Sequence, residues 1–304
     1  MKNNIMYYYN LRIDNITQNN NNYYFTINND NYCFTIYTRD IKESNEIYKL
    51  NKSILSSNIL VHEIIPNKDN YVVTIINNIP YILYKIYINK NKKLTINELT
   101  YLSNYTYQVD KILTRNNWNI LWSNKIDYFE YQINQMGKKY PILVDTFAYF
   151  TGLAENAISY VKYTTLETQI ETSDNPVISH RKTNNTTQSL YNPLNIILDH
   201  KSRDIAEYIK LSFLNKNTNI YQELDSYFSN NYYSEYGLRL LYARIIYPSF
   251  YFDMYEQIIQ GLRKESDLLN IVSLLDDYEL YLKEMYYYLK KYHNIPEIDW
   301  ITKK

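Results

Sequence analysis

Over the first ninety residues, apolar and polar positions alternate in short bursts. Tyr7, Tyr9, Leu11 and Ile13 fall on every second position, as do Tyr23, Phe25 and Ile27, then Tyr32, Phe34 and Ile36. That is the period of a half-buried strand. Asn28-Asn29-Asp30-Asn31 predicts a hairpin turn, because Asn and Asp tolerate left-handed backbone conformations. The period then lengthens: Ile47, Leu50, Ile54 and Leu55 lie on one face of a helix expected over 41–57. Strands are expected again over 62–65, 71–76 and 81–88, the last two turning at Asn77-Asn78.

From Leu94 onward the pattern is helical, with one interruption. The polar, charged run 89–93 is the expected boundary, dividing a small α+β lobe, 1–90, from a larger, mainly helical lobe, 91–304. Helices are predicted over 96–114 and over 116–137, where Trp118, Trp122, Ile126, Phe129, Ile133 and Met136 keep helical spacing. Gly137 and Pro141 end the second of these. The apolar stretch 142–163 predicts a central helix. Others follow at 204–214, 220–229, 234–246, 249–263 and 266–292.

The interruption lies between Pro176 and Lys210. Val177-Ile178 leads into His180-Arg181-Lys182, and a second apolar run, Leu194 to Leu198, leads into Asp199-His200-Lys201. Arg203-Asp204 then opens a helix, with Asp204 placed to cap it. Two short strands ending in polar residues, followed by a helix, build a site on a rigid frame.

Composition narrows the function classes. Lys plus Arg equal Asp plus Glu, 32 against 32, which argues against a nucleic-acid partner. With no run of 18 apolar residues and no apolar segment near the start, the expectation is a soluble protein with no membrane association and no secretory signal. The single Cys33 excludes an intrachain disulfide and suits a reducing cytoplasm; in an alternating strand it reads as a packing residue. Tyrosine, 38 of 304 residues, and asparagine are abundant, read as the codon bias of an AT-rich genome. The only glycines are Gly137, Gly152, Gly237 and Gly261, so the N-terminal lobe has no phosphate-cradling glycine loop. His62 and His293 have no companions at metal-ligand spacing and read as ordinary. The segment 238–256, where Arg239 and Arg244 sit among aromatics, reads first as helical core with arginines on buried carbonyls, and second as a partner surface.

The bilobal plan resembles that of kinases. Their catalytic loop, H-R-D-x-x-x-x-N, precedes a metal-binding Asp that ends the next strand. His180-Arg181-Lys182 resembles the H-R-D triplet, and Asp199 falls where the metal-binding Asp is expected. Arg203-Asp204-Ile205-Ala206 resembles the opening of the following helix in aminoglycoside-phosphotransferase-like kinases. The chain departs from the pattern at two places: Lys182 replaces the proton-accepting Asp, and Thr187 replaces the second metal ligand, Asn. An ammonium is not a base at neutral pH unless its pKa is strongly lowered, and a hydroxyl is a weaker magnesium ligand than a carboxylate. Arg39, with Glu43 or Glu46, stands where a nucleotide-facing Lys–Glu pair is expected; the strand signature Val-Ala-Ile-Lys is missing.

A narrower resemblance runs through Gly152-Leu153-Ala154-Glu155-Asn156-Ala157, Ile178-Ser179-His180-Arg181, and Asp199-His200-Lys201-Ser202-Arg203-Asp204-Ile205-Ala206-Glu207-Tyr208. These segments resemble the YutH-type spore coat proteins of endospore-forming Firmicutes, clearest over 116–260. The resemblance implies a kinase fold and a sporulation context, with spore coat proteins as partners. The expectation is a kinase-fold protein that has lost phosphotransfer and acts as a binding or structural protein, cytoplasmic or in the coat. The alternative is an atypical phosphotransferase using ATP and magnesium, with Asp199 as the metal ligand. Glu155-Asn156, on an apolar helix, needs polar partners; the 180–204 loop is one open to it.

Overall fold

The computed structural model describes residues 1–88, 91–104 and 111–303. Its contacts divide the chain into two compact units. The first is Met1–Thr114 with Val177–Asp199, and the second is Arg115–Pro176 with His200–Lys304. Asn89 and Lys90, in the expected boundary run, lie outside the described residues.

The first unit opens with a helix, α1 (Lys2–Tyr9), followed by β1 (Thr17–Asn19), β2 (Asn22–Ile27) and β3 (Asp30–Ile36). Next come α2 (Ser44–Ser56), β4 (Glu63–Ile65), β5 (Thr74–Ile76) and β6 (Ile79–Ile86). The strands form one antiparallel sheet in the order β1-β2-β3-β6-β4, with β5 also on β6. Both expected Asn turns are present, with Asn28 and Asn29 at φ 49 and 67, and Asn77 and Asn78 at φ 51 and 63. Two successive left-handed residues match the twist of the flanking strands.

No strand forms at Tyr7 to Ile13: α1 runs through Tyr9, Asn10 turns, and Leu11 to Ile13 have no regular structure. Ile5 and Tyr9 also stand one helical turn apart, and as a helix they bury against Phe34, Leu83 and Tyr81 of the sheet while Tyr7 stays 63% exposed. Both periods fit this short segment, and burial of Ile5 against the sheet selects the helical one. On the other face, Ile47, Leu50 and Ile54 of α2 pack with Ile64 and Ile82. Cys33 is fully buried in the sheet.

A short helix, α3 (Ile96–Thr100), and 3-10 turns over Leu102–Asn104 and Lys111–Leu113 stand where one helix over 96–114 was expected; residues 105–110 lie outside the described residues. The second unit is helical: α4 (Trp118–Met136) and α5 (Pro141–Glu167), then α6 (Ser202–Leu214), α7 (Ile220–Asn230), α8 (Glu235–Ile246) and α9 (Ser249–Ile259). It ends with α10 (Leu268–Val272), α11 (Leu275–Leu289) and α12 (Asp299–Thr302). The single helix expected over 266–292 is broken at Ser273-Leu274. Its core is aromatic: Phe150 stacks on Tyr251 at 3.8 Å and Trp122 on Tyr247 at 4.2 Å. Buried tyrosines place their hydroxyls on backbone carbonyls, as Tyr278 does on Ile245 at 2.5 Å. Most of this core's tyrosines can thus be buried with their hydroxyls satisfied, whereas the Tyr247 hydroxyl is buried without a hydrogen-bond partner among the described residues.

Candidate functional site

Two strands of the interrupting stretch, β7 (Val177–His180) and β8 (Ile196–Asp199), pair antiparallel within the first unit. Their register sets Val177 opposite Asp199 and His180 opposite Ile196. Antiparallel strands carry their C-terminal ends in opposite directions, so His180 and Asp199 stand at opposite ends of the ladder, roughly 10 Å apart along it. Alternation also sends them to opposite faces: His180 shares a face with Ile178, Ile196 and Leu198, while Asp199 shares one with Val177, Ser179 and Ile197. Both are buried, at 1% and 0% exposure.

Arg39 meets this hairpin at the His180 end. Its Nε donates to Glu43 Oε2 at 2.7 Å, its Nη2 lies 2.6 Å from the same oxygen, and its Nη1 donates to the Ile196 carbonyl at 2.5 Å. A longer contact reaches the Leu194 carbonyl at 3.4 Å. Burial pulls the Arg39 guanidinium below its ordinary pKa, and the Glu43 carboxylate opposes that shift. The arginine–glutamate pair expected from sequence therefore forms through Glu43. Glu46 pairs instead with Lys49.

Lys182 is exposed, and the loop beyond it is held by its backbone. The Asn195 side chain accepts from the Lys182 N–H at 2.9 Å and donates to the carbonyls of Lys182 (2.8 Å) and Ser189 (3.1 Å). Thr187 is buried, and its hydroxyl accepts from the Lys92 N–H at 3.2 Å. The Thr187 N–H donates to Lys92 O at 3.0 Å, and the Leu94 N–H to Asn185 O at 2.9 Å. Thr187, at the second metal-ligand position, is thus used as a backbone tie. Among the described residues, no group of three or more His, Cys, Asp or Glu side chains is arranged to hold a metal ion.

The first unit also holds a cavity of about 1040 Å³ under the sheet, and Arg39, His180, Lys182 and Asp199 are not among its walls. Tyr24, Cys33 and Tyr84 stand opposite one another on three neighbouring strands, and the two tyrosines face the cavity. The His62 ring lies parallel to Tyr84 with centroids 5.6 Å apart. His62 is 6% exposed, and burial pushes its pKa down to about 4, so the ring is neutral at ordinary pH. Sequence reasoning passed over His62 for lack of companions; no local signal marks a histidine whose partners come from other strands.

In the second unit, the signature after Asp199 builds a buried polar knot. His200 Nε2 lies 3.2 Å from Asp174 Oδ1, and His200 Nδ1 accepts from the Ser202 N–H at 3.1 Å. Ser234 donates to Asp174 at 2.7 Å, and Ser202 donates to the Gly237 carbonyl at 2.7 Å. Burial works to raise the Asp174 carboxyl, but hydrogen bonds from His200, Ser234 and the Glu171 backbone outweigh it, leaving the pKa below its ordinary value. Asp204 lies within the first turn of α6, since that helix starts at Ser202 and not at Ile205. Glu155 is exposed, and Asn156 donates to Gly152 O at 2.7 Å and accepts from the Trp300 indole at 3.4 Å. Of the polar pair expected to reach the 180–204 loop, Asn156 is hydrogen-bonded within its own unit and Glu155 is exposed.

Glu207 gathers Lys210 (3.0 Å), Arg244 (3.0 Å) and Ser249 (2.9 Å). Burial alone would raise its carboxyl, but Lys210 and Arg244 outweigh burial and hold it at about 2. The Arg244 guanidinium also lies over Trp118, 4.7 Å from the ring centre. Arg239 pairs with Glu167 and Glu235 at 2.8 and 2.7 Å. The 238–256 segment is largely buried, as first expected, and its arginines pair with carboxylates.

The family described as spore coat putative kinase YutH matches residues 2–286. An endospore coat-associated protein, YutH of Bacillus subtilis (strain 168), is 27% identical over 221 residues, 66% of this chain and 65% of that protein. The match thus spans just under two thirds of that relative's length. Among solved structures, an aminoglycoside phosphotransferase from Alicyclobacillus acidocaldarius superposes with TM-score 0.64 at 10% identity, covering 94% of this chain and 95% of that one. A spectinomycin phosphotransferase bound to ADP and spectinomycin gives 0.54 at 13% identity, covering 93% of each chain. The aminoglycoside-phosphotransferase fold is therefore shared, and no helix among the described residues is long and apolar enough to cross a membrane.

Proposed function

Because the chain belongs to the YutH family of spore coat putative kinases, we propose that it is a non-catalytic kinase-fold protein of the spore coat, acting by binding rather than by phosphotransfer. One observation carries this reading. Arg39, the cation expected to face a nucleotide, has its guanidinium committed to Glu43 and to the Ile196 and Leu194 carbonyls. Lys182 and Thr187 add to it, the first an exposed ammonium where a base is needed, the second a tie to Lys92.

Spectinomycin phosphotransferase is known bound to ADP. A nucleotide polyphosphate in this chain would require basic side chains and metal ligands around its phosphates. The cavity of the first unit has no Lys or Arg among its described walls, and its charged side chain is Asp14. An anion there would lack compensation, so these residues do not fit the nucleotide and its metal.

A second reading, an atypical ATP- and magnesium-dependent small-molecule phosphotransferase, draws on Asp199, buried at the end of β8, and on the Arg39–Glu43 pair. A thermal-shift titration with ATP, with and without magnesium, separates the two. A nucleotide at 100 times its dissociation constant stabilises by roughly 2.7 kcal/mol, and the non-catalytic reading expects no shift at millimolar ATP. Magnesium-dependent ATP turnover abolished by Asp199→Asn would overturn that reading.

A further inference from the structure

We propose that the cavity of the first unit binds an uncharged, hydroxyl-rich small molecule of the sugar class. The inference extends the non-catalytic reading to a specific ligand chemistry. A cavity of about 1040 Å³ stands at the upper end of the usual small-molecule range, roughly 300–1,000 Å³, and has room for a disaccharide.

The walls select by charge and by hydrogen-bond type. Asn31, Asn91, Asn184 and Gln188 present side-chain amides, each both donor and acceptor. Sugar hydroxyls are likewise both, so such a ligand can satisfy these amides without bringing a charge. Tyr84 backs the site with its ring, and His62 lies flat against that ring. Apolar faces with a few convergent polar groups are the usual make-up of a ligand site.

Two polar atoms of the wall residues are buried without a partner. His62, 6% exposed, has Nδ1 without a hydrogen-bond partner among the described residues, as has Ser189 Oγ. Buried polar atoms are usually satisfied, and one left unmade has a cost. The ring remains uncharged down to a pH of about 4, so it offers hydrogen bonds to neutral groups and no attraction for phosphate.

The test is calorimetric titration of the full chain with glucose, trehalose, N,N′-diacetylchitobiose, glucose 6-phosphate, and ATP with and without magnesium. The expected result is millimolar or tighter binding of at least one neutral sugar, with glucose 6-phosphate at least tenfold weaker than glucose. His62→Phe keeps the ring stacked on Tyr84 and removes its nitrogens. It should weaken sugar binding at least tenfold with no loss of melting temperature, and Asn184→Ala with Gln188→Ala, at exposed loop positions, should weaken it too. Binding unchanged in both variants overturns the assignment. If neither sugars nor ATP bind, this inference fails and the non-catalytic reading stands; if ATP binds and the sugars do not, both fail.

Discussion

Replacing Arg39 by Met separates a structural role for this residue from a phosphate-binding one. The side chain is 1% exposed and the Glu43 side chain 9%, so removing the cation takes a close charge partner from a buried carboxylate. Breaking a buried pair from one side costs about 3–5 kcal/mol. The Ile196 carbonyl, which accepts from Nη1 at 2.5 Å, loses its donor as well, a penalty of about 1–3 kcal/mol when such a group stays buried. These terms share one side chain and do not simply add, so the expected loss is about 3–5 kcal/mol. At roughly 2–4 °C per kcal/mol for chains of about this size, melting should fall by on the order of 10 °C in scanning calorimetry. Adding Glu43→Leu should recover part of that loss, because the buried carboxylate that lost the cation is then removed as well. Hydrogen exchange in peptides around 194–198 should accelerate in Arg39→Met, since the guanidinium ties that strand to the Arg39 turn. A melting temperature within about 1 °C of wild type, with no coupling to Glu43, would refute the structural role.

Two further predictions concern the second unit. A Cβ at Gly237 would stand 3.1 Å from both Asp174 Oδ1 and His200 Cε1, whereas one at Gly152 meets nothing within 4 Å. Gly237→Ala should therefore destabilise by about 1–3 kcal/mol through overpacking, and Gly152→Ala, in the interior of α5, should stabilise by about 0.5–1 kcal/mol; equal effects in urea melts would sink the close-packing argument. Glu207, held at about 2 against an ordinary value of 4.5, binds its proton more weakly folded than unfolded. It contributes stability above pH 4.5 that is lost as the pH falls toward 2, so the acid limb of a stability–pH curve should be shallower in Glu207→Gln than in wild type.

The parts of the fold that were legible in the sequence are those where one period dominates. Trp118, Trp122, Ile126 and Phe129 lie on the buried face of α4, and the Asn-Asn turns were readable because few residues accept a left-handed backbone. Tyr7 to Ile13 misled because alternation and helical spacing both fit, and only the sheet decides which residues are buried. For the site, residue types and order were readable, but register was not. Nothing local states that β7 and β8 run antiparallel, and that register sets His180 and Asp199 on opposite faces. Nor does spacing reveal that Thr187 meets Lys92 or that His62 meets Tyr84, contacts made across long sequence separations.

The ties around Thr187 bear on how this loop can change over evolutionary time. Its hydroxyl and N–H hold Lys92, and Asn195 holds Lys182 and Ser189. A substitution at 187 or 195 is thus screened first by its effect on folding and only afterwards by any gain in chemistry. An acidic residue at 182 would alter an exposed side chain and leave these backbone ties intact. The loop is thus a place where folding constrains sequence before chemistry does, with positions 187 and 195 answerable to the scaffold.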